Sequence, residues 1–375
     1  MINVKIIYVA TADARGHLMR AQLLAHALLE NGVEVKVLTT SDEGVNFLAK
    51  FGIDASVLSR HYAVKFDIQQ NMLRVATDKN IASYIFHHSR MLRDIWHLRS
   101  ALNHADLVIN DSFHPALLFM GCMPVWRKKI VHVYGASLRQ AVELNFQGRL
   151  PKWLSGLFRI IVSKQIDASR ARLVHDFAND PAAHFDGNSY RMPTPVAVAK
   201  VNASNSQHNH KRVAVYLNPH FSDPLLADAL ELGLVEAGFQ QLYFIGEGYS
   251  GRKGWQPYDL NWVNSAASSD LIVSAPGMAA LSVALVYRRP ILLLLTDQPE
   301  QRINAAQAAN KGVIHRTIAW KGNVKTFANS VKVSSQELLA EADEFGGTRE
   351  DNTNVRLQTW VTLIKSLSIS VPSIG

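Results

Sequence analysis

The chain has 375 residues, and this length predicts two or three domains, which excludes a peptide hormone or a single binding module. Apolar residues make up 48% of the chain and charged residues 19%, a composition that excludes disordered and fibrous proteins. Lysine and arginine outnumber aspartate and glutamate by 39 to 31, and the formal net charge of +8 suits phosphorylated small molecules, anionic membrane surfaces or nucleic acid.

The first part of the chain alternates between strand-like and helix-like patterns. Short apolar runs, typical of buried strands, are separated by stretches with apolar residues every three or four positions, typical of amphipathic helices. The predicted strands are 4–10, 33–38, 105–110 and 130–134, and the predicted helical stretches are 18–30 and 67–104. Such β-α-β units form parallel sheets with right-handed crossovers.

A polar stretch at 202–210, poor in apolar residues, predicts a linker. Beyond this linker the same alternation of strand and helix patterns resumes. The predicted strands are 213–217, 241–245, 271–273 and 291–295, and the predicted helices are 224–236, 260–267, 278–286 and 301–309. The chain therefore repeats its β-α organisation on both sides of the linker.

Two β-α halves joined by a linker predict an α/β protein with two doubly wound, Rossmann-like domains, 1–200 and 211–349, facing a central cleft. The carboxyl ends of both sheets would line that cleft. The last segment, 350–375, has the pattern of an amphipathic helix, which we expect to cross back to the first domain. The apolar positions of this helix are Val355, Leu357, Trp360, Val361 and Ile364.

Arg15, Gly16 and His17 follow the first strand, where helix-terminal amides can hold an anion. We expect His17 to face the cleft as a general base, although a packing or capping role is the alternative. Asp111 ends the strand at 105–110 at the same sheet edge, where it would orient the His17 imidazole or only cap the next turn. The turn lacks G-x-G-x-x-G, which disfavours a nicotinamide oxidoreductase.

A second anion site is predicted at the turn that joins the strand at 271–273 to the helix at 278–286. The amides of this turn and the helix start supply partial positive charge, so they can hold a diphosphate without a metal. The residues of this site are Ser274, Gly277, Met278, Ala279 and Ala280. After the strand at 291–295, Glu300 and Gln301 begin a helix, where they can hydrogen-bond to vicinal hydroxyls.

These segments resemble the GT-B fold glycosyltransferases of the UDP-glycosyltransferase superfamily, and most of all relatives of the bacterial N-acetylglucosaminyltransferase that makes lipid II. Residues 16–21 are similar to the family's G-H-x-x-R-A start. The family's donor signature has three parts: a glycine turn before a helix, a G-x-P step, and an ending with an acidic residue and Gln-x-x-Asn-Ala. The corresponding segments here are 270–277, 289–292 and 300–305, in that order. The resemblance is poor elsewhere, over about 45–100 and 135–200.

The resemblance implies an inverting, metal-independent transfer of a sugar from a nucleoside diphosphate to a hydroxyl acceptor, with no cofactor. His17 would be the base and Asp111 its orienting carboxylate. The diphosphate would meet the amides after Gly277, the donor sugar would meet Glu300 and Gln301, and Tyr258 would lie beside the nucleotide base. A sugar-nucleotide epimerase of the same fold and a non-catalytic sugar-nucleotide-binding protein are the alternatives.

The sequence departs from the family pattern at two places. Val283 stands where the family usually has the glutamate that binds the ribose hydroxyls, so another group binds the ribose or the donor differs. The family also has a second glycine before Gly16, and this chain lacks it. Either Arg15 in the same loop compensates by contacting an anionic acceptor, or the loop has lost a role.

The apolar segment 150–164 has basic margins, so it is either a core helix or a contact with an anionic membrane that holds a lipid-linked acceptor. Neither a basic stripe with interleaved aromatics nor histidines at metal-ligand spacing are present, so we predict neither a nucleic-acid partner nor a metal. The chain has one cysteine, Cys122, and its first residues lack a signal-peptide pattern. Both observations favour a cytoplasmic location, and we further expect contact with the inner face of the plasma membrane.

Overall fold

The structure, a computed structural model, describes residues 4–12, 15–58, 88–112, 114–137, 152–177, 183–200, 211–219, 221–296, 298–344 and 353–369. The described residues form two compact units. The first unit contains the residues up to Pro195 and returns at Asn354 with the C-terminal helix. The second unit contains Val196–Thr353.

The first unit is built on one twisted sheet with helices on both faces. Its strands are β1 (Lys5–Ala10), β2 (Glu34–Thr39), β3 (Ala55–Val57), β4 (Leu107–Asp111), β5 (Ile130–Gly135), β6 (Ala171–Asp176), β7 (His184–Asp186) and β8 (Ser189–Pro193). The helices between them are α1 (Arg15–Glu30), α2 (Asp42–Ala49), α3 (His88–His104), α4 (Pro115–Gly121), α5 (Pro124–Arg127) and α6 (Lys152–Asp167). Among the described residues the sheet order is β3-β2-β1-β4-β5-β6-β8-β7, and only the edge pair β7–β8 is antiparallel.

Both faces of this sheet are buried, which explains why β1 is a nearly continuous apolar run. The helix α1 buries Leu18, Leu24 and Leu28 against one face, because positions three or four apart share one side of a helix. The helix α3 buries Leu98 and Leu102 against the opposite face. The first unit therefore has an apolar core on each face of its sheet.

The second unit repeats this architecture with an entirely parallel sheet. Its strands are β9 (Arg212–Leu217), β10 (Gln241–Gly246), β11 (Trp255–Gln256), β12 (Leu271–Ser274), β13 (Ile291–Leu295) and β14 (His315–Ala319). Its helices are α7 (Pro224–Glu236), α8 (Trp262–Ser268), α9 (Met278–Val286), α10 (Pro299–Asn310) and α11 (Val324–Glu344). Among the described residues the strand order is β11-β10-β9-β12-β13-β14, with β9 and β12 adjacent at the centre.

The helices α7 and α11 pack closely because Gly233 has no side chain. A Cβ atom on Gly233 would lie 2.5 Å from the carbonyl oxygen of Ala328 and 2.7 Å from the Cβ of Val331. Leu230, Leu234 and Val331 fill the rest of this contact and belong to the core of the second unit.

The C-terminal helix, α12 (Thr353–Ile369), packs into the core of the first unit. Trp360 is fully buried there, and its indole Nε1 donates to the carbonyl oxygen of Pro193 at 2.7 Å. Arg356 donates from Nη1 to the Phe177 carbonyl at 3.2 Å. Val355 is 50% exposed, although the sequence pattern places it on the apolar face, because α12 rotates this position toward solvent.

Most predicted strands and helices lie within two residues of the observed ones. The predicted helical stretch at 67–104 is observed from His88 onward, and 67–87 lie outside the described residues. Among the described elements, the sequence analysis did not predict β3, β6 to β8, β11, β14, α2, α4, α5 or α11. Among the described helices, none has the combination of length and apolar character needed to cross a bilayer.

Candidate active site

His17 and Asp111 come together because β1 and β4 are neighbouring parallel strands. Asp111 is the last residue of β4, and it lies opposite Ala10, the last residue of β1. The helix α1 begins five residues after Ala10 and places His17 in its first turn. The Nδ1 atom of His17 lies 2.7 Å from Oδ1 of Asp111, although the two residues are 94 positions apart in the chain.

The Asp111 carboxylate is surrounded by donors. Arg20 donates from Nε to Oδ2 at 2.7 Å and from Nη2 to Oδ1 at 2.5 Å, which is the two-point geometry that suits a guanidinium and a carboxylate. The Tyr8 hydroxyl donates to Oδ2 at 2.7 Å. With His17 the carboxylate therefore has four hydrogen bonds, and sequence analysis predicted only the one from His17.

The network is buried except at His17. Asp111 and Tyr8 are fully buried and Arg20 is 6% exposed, whereas the His17 side chain is 29% exposed. Burial acts to raise the pKa of the Asp111 carboxyl, but the positive charges of Arg20 and His17 outweigh it and hold that pKa below its usual value. Burial, followed by the adjacent Asp111 charge, raises the pKa of the Tyr8 hydroxyl well above its usual value. Asp111 is therefore an anion and Tyr8 a neutral donor.

The contacts of Nδ1 fix the tautomer of neutral His17. This nitrogen lies 2.7 Å from the Asp111 carboxylate and 3.0 Å from Nη2 of Arg20. A carboxylate only accepts hydrogen bonds, so an unprotonated Nδ1 would set its lone pair against the Asp111 oxygen at 2.7 Å, and the proton of the neutral ring is therefore assigned to Nδ1. The lone pair of the neutral ring then sits on Nε2, where it can accept a proton.

A second histidine lies behind this network. His175, on β6, is 2% exposed, and its Nδ1 lies 2.9 Å from the hydroxyl of Thr194. The ring of Trp360 packs over it with centroids 6.4 Å apart. The pKa of His175 lies well below its usual value, mainly because the ring is buried and to a lesser extent because the positive charge of Arg20 is close. His175 is therefore a neutral group. The C-terminal helix thus contacts the surroundings of the site.

Asn110, and not Asp111, holds the turn after β4. Its Oδ1 accepts from the Ser112 hydroxyl at 2.8 Å and from the backbone amide of His114 at 3.1 Å. Its Nδ2 lies 3.2 Å from Nδ1 of His132 on the opposite face of the sheet from Asp111. The capping role considered for Asp111 is therefore filled by Asn110, and the Asp111 side chain contacts His17, Arg20 and Tyr8.

The other two residues predicted in the first loop have different surroundings. The guanidinium carbon of Arg15 lies 4.8 Å above the ring centre of Phe47 on α2, a cation–π contact. Gly16 is exposed, and a Cβ atom there would meet nothing within 4 Å. This part of the loop is therefore open at Gly16.

In the second unit, a tight turn leads from β12 into α9. The Ser274 hydroxyl donates to the Tyr216 carbonyl at 2.9 Å, and the Gly277 amide donates to the Ala275 carbonyl at 2.7 Å. Gly277 caps α9 with extended backbone, and space around its Cα is open. The helix leaves its first amides, those of residues 278–280, without acceptors inside the helix, and these amides are free to bind an anion.

The amide side chains of α10 support this turn and the loop before α10. Asn304 is 1% exposed and donates from Nδ2 to the Pro276 carbonyl at 3.0 Å, while its Oδ1 finds no partner among the described residues. The Oε1 atom of Gln301 accepts from the Thr296 hydroxyl at 2.8 Å. Asn304 was part of the sequence motif but was not predicted as a site residue.

The remaining predicted donor residues are spread over the second unit. Glu300 is exposed in the first turn of α10, and Tyr258 is 43% exposed after β11. Val283 is 4% exposed inside α9, so this position faces the interior. Among the described residues no three histidine, cysteine, aspartate or glutamate side chains are placed to hold a metal ion.

No protein-family model and no curated protein sequence matches this chain. Solved structures do match it over nearly its full length. The glycotransferase of kitacinnamycin is 16% identical, with a TM-score of 0.61 and coverage of 98% of this chain and 100% of that one. The calicheamicin glycosyltransferase CalG4 is 11% identical, with a TM-score of 0.63 and coverage of 99% and 100%.

The spinosyn rhamnosyltransferase SpnG, solved with thymidine diphosphate, is 12% identical, with a TM-score of 0.57 and coverage of 97% of this chain and 100% of that one. At these identities the likeness shows the fold. The predicted fold class is confirmed, because the chain has the two parallel-sheet, Rossmann-like units of the GT-B glycosyltransferases.

Proposed function

We propose that this protein is a glycosyltransferase that moves a sugar from a nucleoside diphosphate to a hydroxyl acceptor, with inversion and without a metal. The observation that carries the proposal is the half-exposed His17, whose Nδ1 lies 2.7 Å from a buried, ionised carboxylate at the carboxyl end of a GT-B sheet. A buried carboxylate that orients an imidazole, and an imidazole edge that is partly open to solvent, are the parts of a general base.

In the proposed reaction, Nε2 of His17 takes the proton of the acceptor hydroxyl. The acceptor oxygen then forms a bond to the anomeric carbon of the donor sugar, on the face opposite the leaving group. The bond between that carbon and the diphosphate oxygen breaks, and its electron pair leaves with the nucleoside diphosphate. The free amides at the start of α9 stabilise the charge on this leaving group.

The donor is proposed to use the second unit. Its diphosphate would contact the amides of residues 278–280, with Ser274 and Gly277 shaping the turn. Glu300 and Gln301 would contact the donor sugar, and Tyr258 would lie beside the nucleotide base. Because Val283 is buried and apolar, we propose that another group binds the ribose hydroxyls.

A lipid-linked acceptor at the inner face of the plasma membrane is the finer proposal. Most side chains of the segment 150–164 lie outside the described residues, but α3 supports membrane contact. On this helix the side chains of Leu92 and Trp96 are 62% and 72% exposed, and Arg93 and Arg99 are exposed beside them. Exposed apolar and basic side chains on one helix are typical of helices that lie on anionic membranes. Sedimentation with phosphatidylglycerol and phosphatidylcholine vesicles tests this, and the proposal fails if replacing Leu92 and Trp96 by serine leaves binding to anionic vesicles unchanged.

The reaction is tested by calorimetry and by turnover. Titration with uridine, thymidine and guanosine diphosphates should identify one tightly bound nucleotide, and the matching nucleotide sugar should release that diphosphate only when an acceptor is added. Release and conversion of the sugar nucleotide without an acceptor would favour an epimerase. Binding without turnover over a broad acceptor panel would favour a non-catalytic binding protein.

A further inference from the structure

Arg20 is a buried cation that matches the arginine of the G-H-x-x-R-A pattern, but the sequence analysis gave it no role. It lies one helical turn after His17 on α1, at a spacing that puts both side chains on one face of the helix. It is 6% exposed and makes two hydrogen bonds to Asp111, at 2.7 and 2.5 Å. Burial acts to lower the pKa of Arg20, but the Asp111 charge outweighs it and raises that pKa, so Arg20 is always charged.

A buried carboxylate needs one opposite charge, because an unpaired ion inside a protein is strongly destabilised. The described groups that face Asp111 are Tyr8 from β1, His17 and Arg20 from α1, and His175 from β6. Tyr8 and His175 are neutral. Arg20 and His17 are therefore the two groups that can supply the opposite charge, and Arg20 supplies it at every pH at which the protein is folded.

We propose that Arg20 is a positioning residue that takes the role of counter-ion to Asp111 and so leaves His17 as a neutral base, with its proton on Nδ1 and its lone pair on Nε2. Without Arg20, Asp111 would draw a second proton onto the His17 ring, and the resulting imidazolium could not accept a proton from an acceptor. Arg20 thus controls the state of His17 without touching the substrate. The inference rests on the proposed function, because it is that function which requires His17 to act as a base.

The experiment is a pH titration of the free protein by NMR, with the histidine rings labelled with ¹⁵N and the His17 signals assigned with His17→Gln. The test variant is Arg20→Met, which removes the charge but keeps an unbranched side chain. The conservative variant is Arg20→Lys, which keeps the charge. The matched control is Tyr8→Phe, because the Tyr8 hydroxyl and Arg20 Nε both donate to Asp111 Oδ2 at 2.7 Å, but only Arg20 is charged.

We expect neutral His17 in the unmodified protein to show the signals of a ring protonated at Nδ1. In Arg20→Met the midpoint of the His17 titration should rise by about 1–3 pH units, the effect of one nearby charge. Arg20→Lys should keep the midpoint close to that of the unmodified protein, and Tyr8→Phe should do the same. If replacing Arg20 acted only through a change of structure, the His17 midpoint would not depend on whether the new residue is charged, as in Arg20→Lys, or uncharged, as in Arg20→Met.

A midpoint that is the same in Arg20→Met and in the unmodified protein overturns the inference, as does a neutral ring protonated at Nε2 in the unmodified protein. If Arg20→Met does not fold, Arg20→Gln, which also removes the charge but keeps a hydrogen-bond donor, takes its place, and its midpoint should rise in the same way. The titration needs no substrate, so its failure is distinct from a failure of the proposed function, which would appear as a lack of turnover with a normal His17 titration.

Discussion

The two units carry candidate sites of opposite construction. In the first unit the site consists of side chains, and the charges of Asp111 and Arg20 are buried beside a partly exposed His17. In the second unit it consists mainly of backbone, namely the turn at Ser274–Gly277 and the first amides of α9. The first site can move a proton, and the second can hold an anion.

The two sites should therefore differ in how strongly a single substitution affects them. A site of side chains loses its chemistry when one functional group is exchanged, because no neighbour can replace the group. A site of backbone amides keeps its chemistry through most substitutions, because every residue except proline has the same amide. Mutations at His17 and at Ala279 should therefore separate the two sites, whereas mutations at Trp360 and His132 should change the stability of the first unit.

The largest effect is expected for His17→Gln. If His17 is the base, this change should lower kcat about 1,000-fold, because general-base catalysis contributes roughly 10²- to 10⁴-fold to enzymatic rates. The affinity for the nucleoside diphosphate, measured by calorimetry, should stay at the level of the unmodified protein.

The control is His26→Gln, at a second histidine of α1, whose Nε2 lies 2.8 Å from the Phe51 carbonyl. This variant should keep normal turnover. Turnover of His17→Gln at the level of the control would remove His17 from the mechanism, whereas a parallel loss of nucleotide affinity would contradict the division between the two sites.

The next effect concerns the stability of the first unit. Trp360→Ala should lower the free energy of unfolding by about 3 kcal/mol, because it empties the space of a fully buried indole and removes the hydrogen bond to Pro193. Trp360→Phe keeps a ring and should lose only about 1 kcal/mol. Denaturant unfolding measures both values, and equal losses in the two variants would show that the cavity is not the cause.

A smaller effect concerns the pH dependence of stability. Burial lowers the pKa of His132 to about 3, so between pH 6.5 and 3 the unfolded chain holds a proton that the folded protein lacks. Stability should therefore fall as pH falls, by about 2 kcal/mol at pH 5 from this residue alone. His132→Gln should lose less stability than the unmodified protein between pH 8 and pH 5, and the buried His175, whose pKa is also lowered, contributes to the remaining loss.

Unfolding curves in urea at several pH values measure this difference. The sign follows from the direction of the shift, because a histidine that stays neutral when folded lowers the free energy of unfolding only where the unfolded histidine is protonated. A loss of stability toward acid that is as steep in His132→Gln as in the unmodified protein would contradict the assignment.

The smallest effect is expected in the second unit. Ala279 is exposed in the first turn of α9, where proline is tolerated, so Ala279→Pro should delete one free amide with little damage to the helix. Nucleoside diphosphate affinity should weaken about tenfold, since a hydrogen bond to a charged group contributes roughly 1.5 kcal/mol or more. Ala279→Ser keeps the amide and should bind normally, and an equal affinity of the two variants would exclude this amide from the site.

The positions of His17 and Asp111 could be predicted because both follow from local patterns. An apolar run, a short turn and an amphipathic helix fix where β1 ends and α1 begins, and a second apolar run fixes the end of β4. The roles of Tyr8 and Arg20 could not be predicted in this way. Tyr8 is 103 positions and Arg20 91 positions away from Asp111, and both have apolar neighbours in elements that are typical of a buried core.

The sequence by itself determined the alternation of strands and helices around β1, β4 and β12, their parallel pairing and the polar residues at the strand ends, because hydrophobic periodicity and turn chemistry act over a few residues. The tertiary structure alone decided that Asn110 holds the turn after β4 and that Tyr8 and Arg20 donate hydrogen bonds to Asp111. The reason is that pairing and desolvation of charges depend on side chains that only folding brings within a few ångströms of each other.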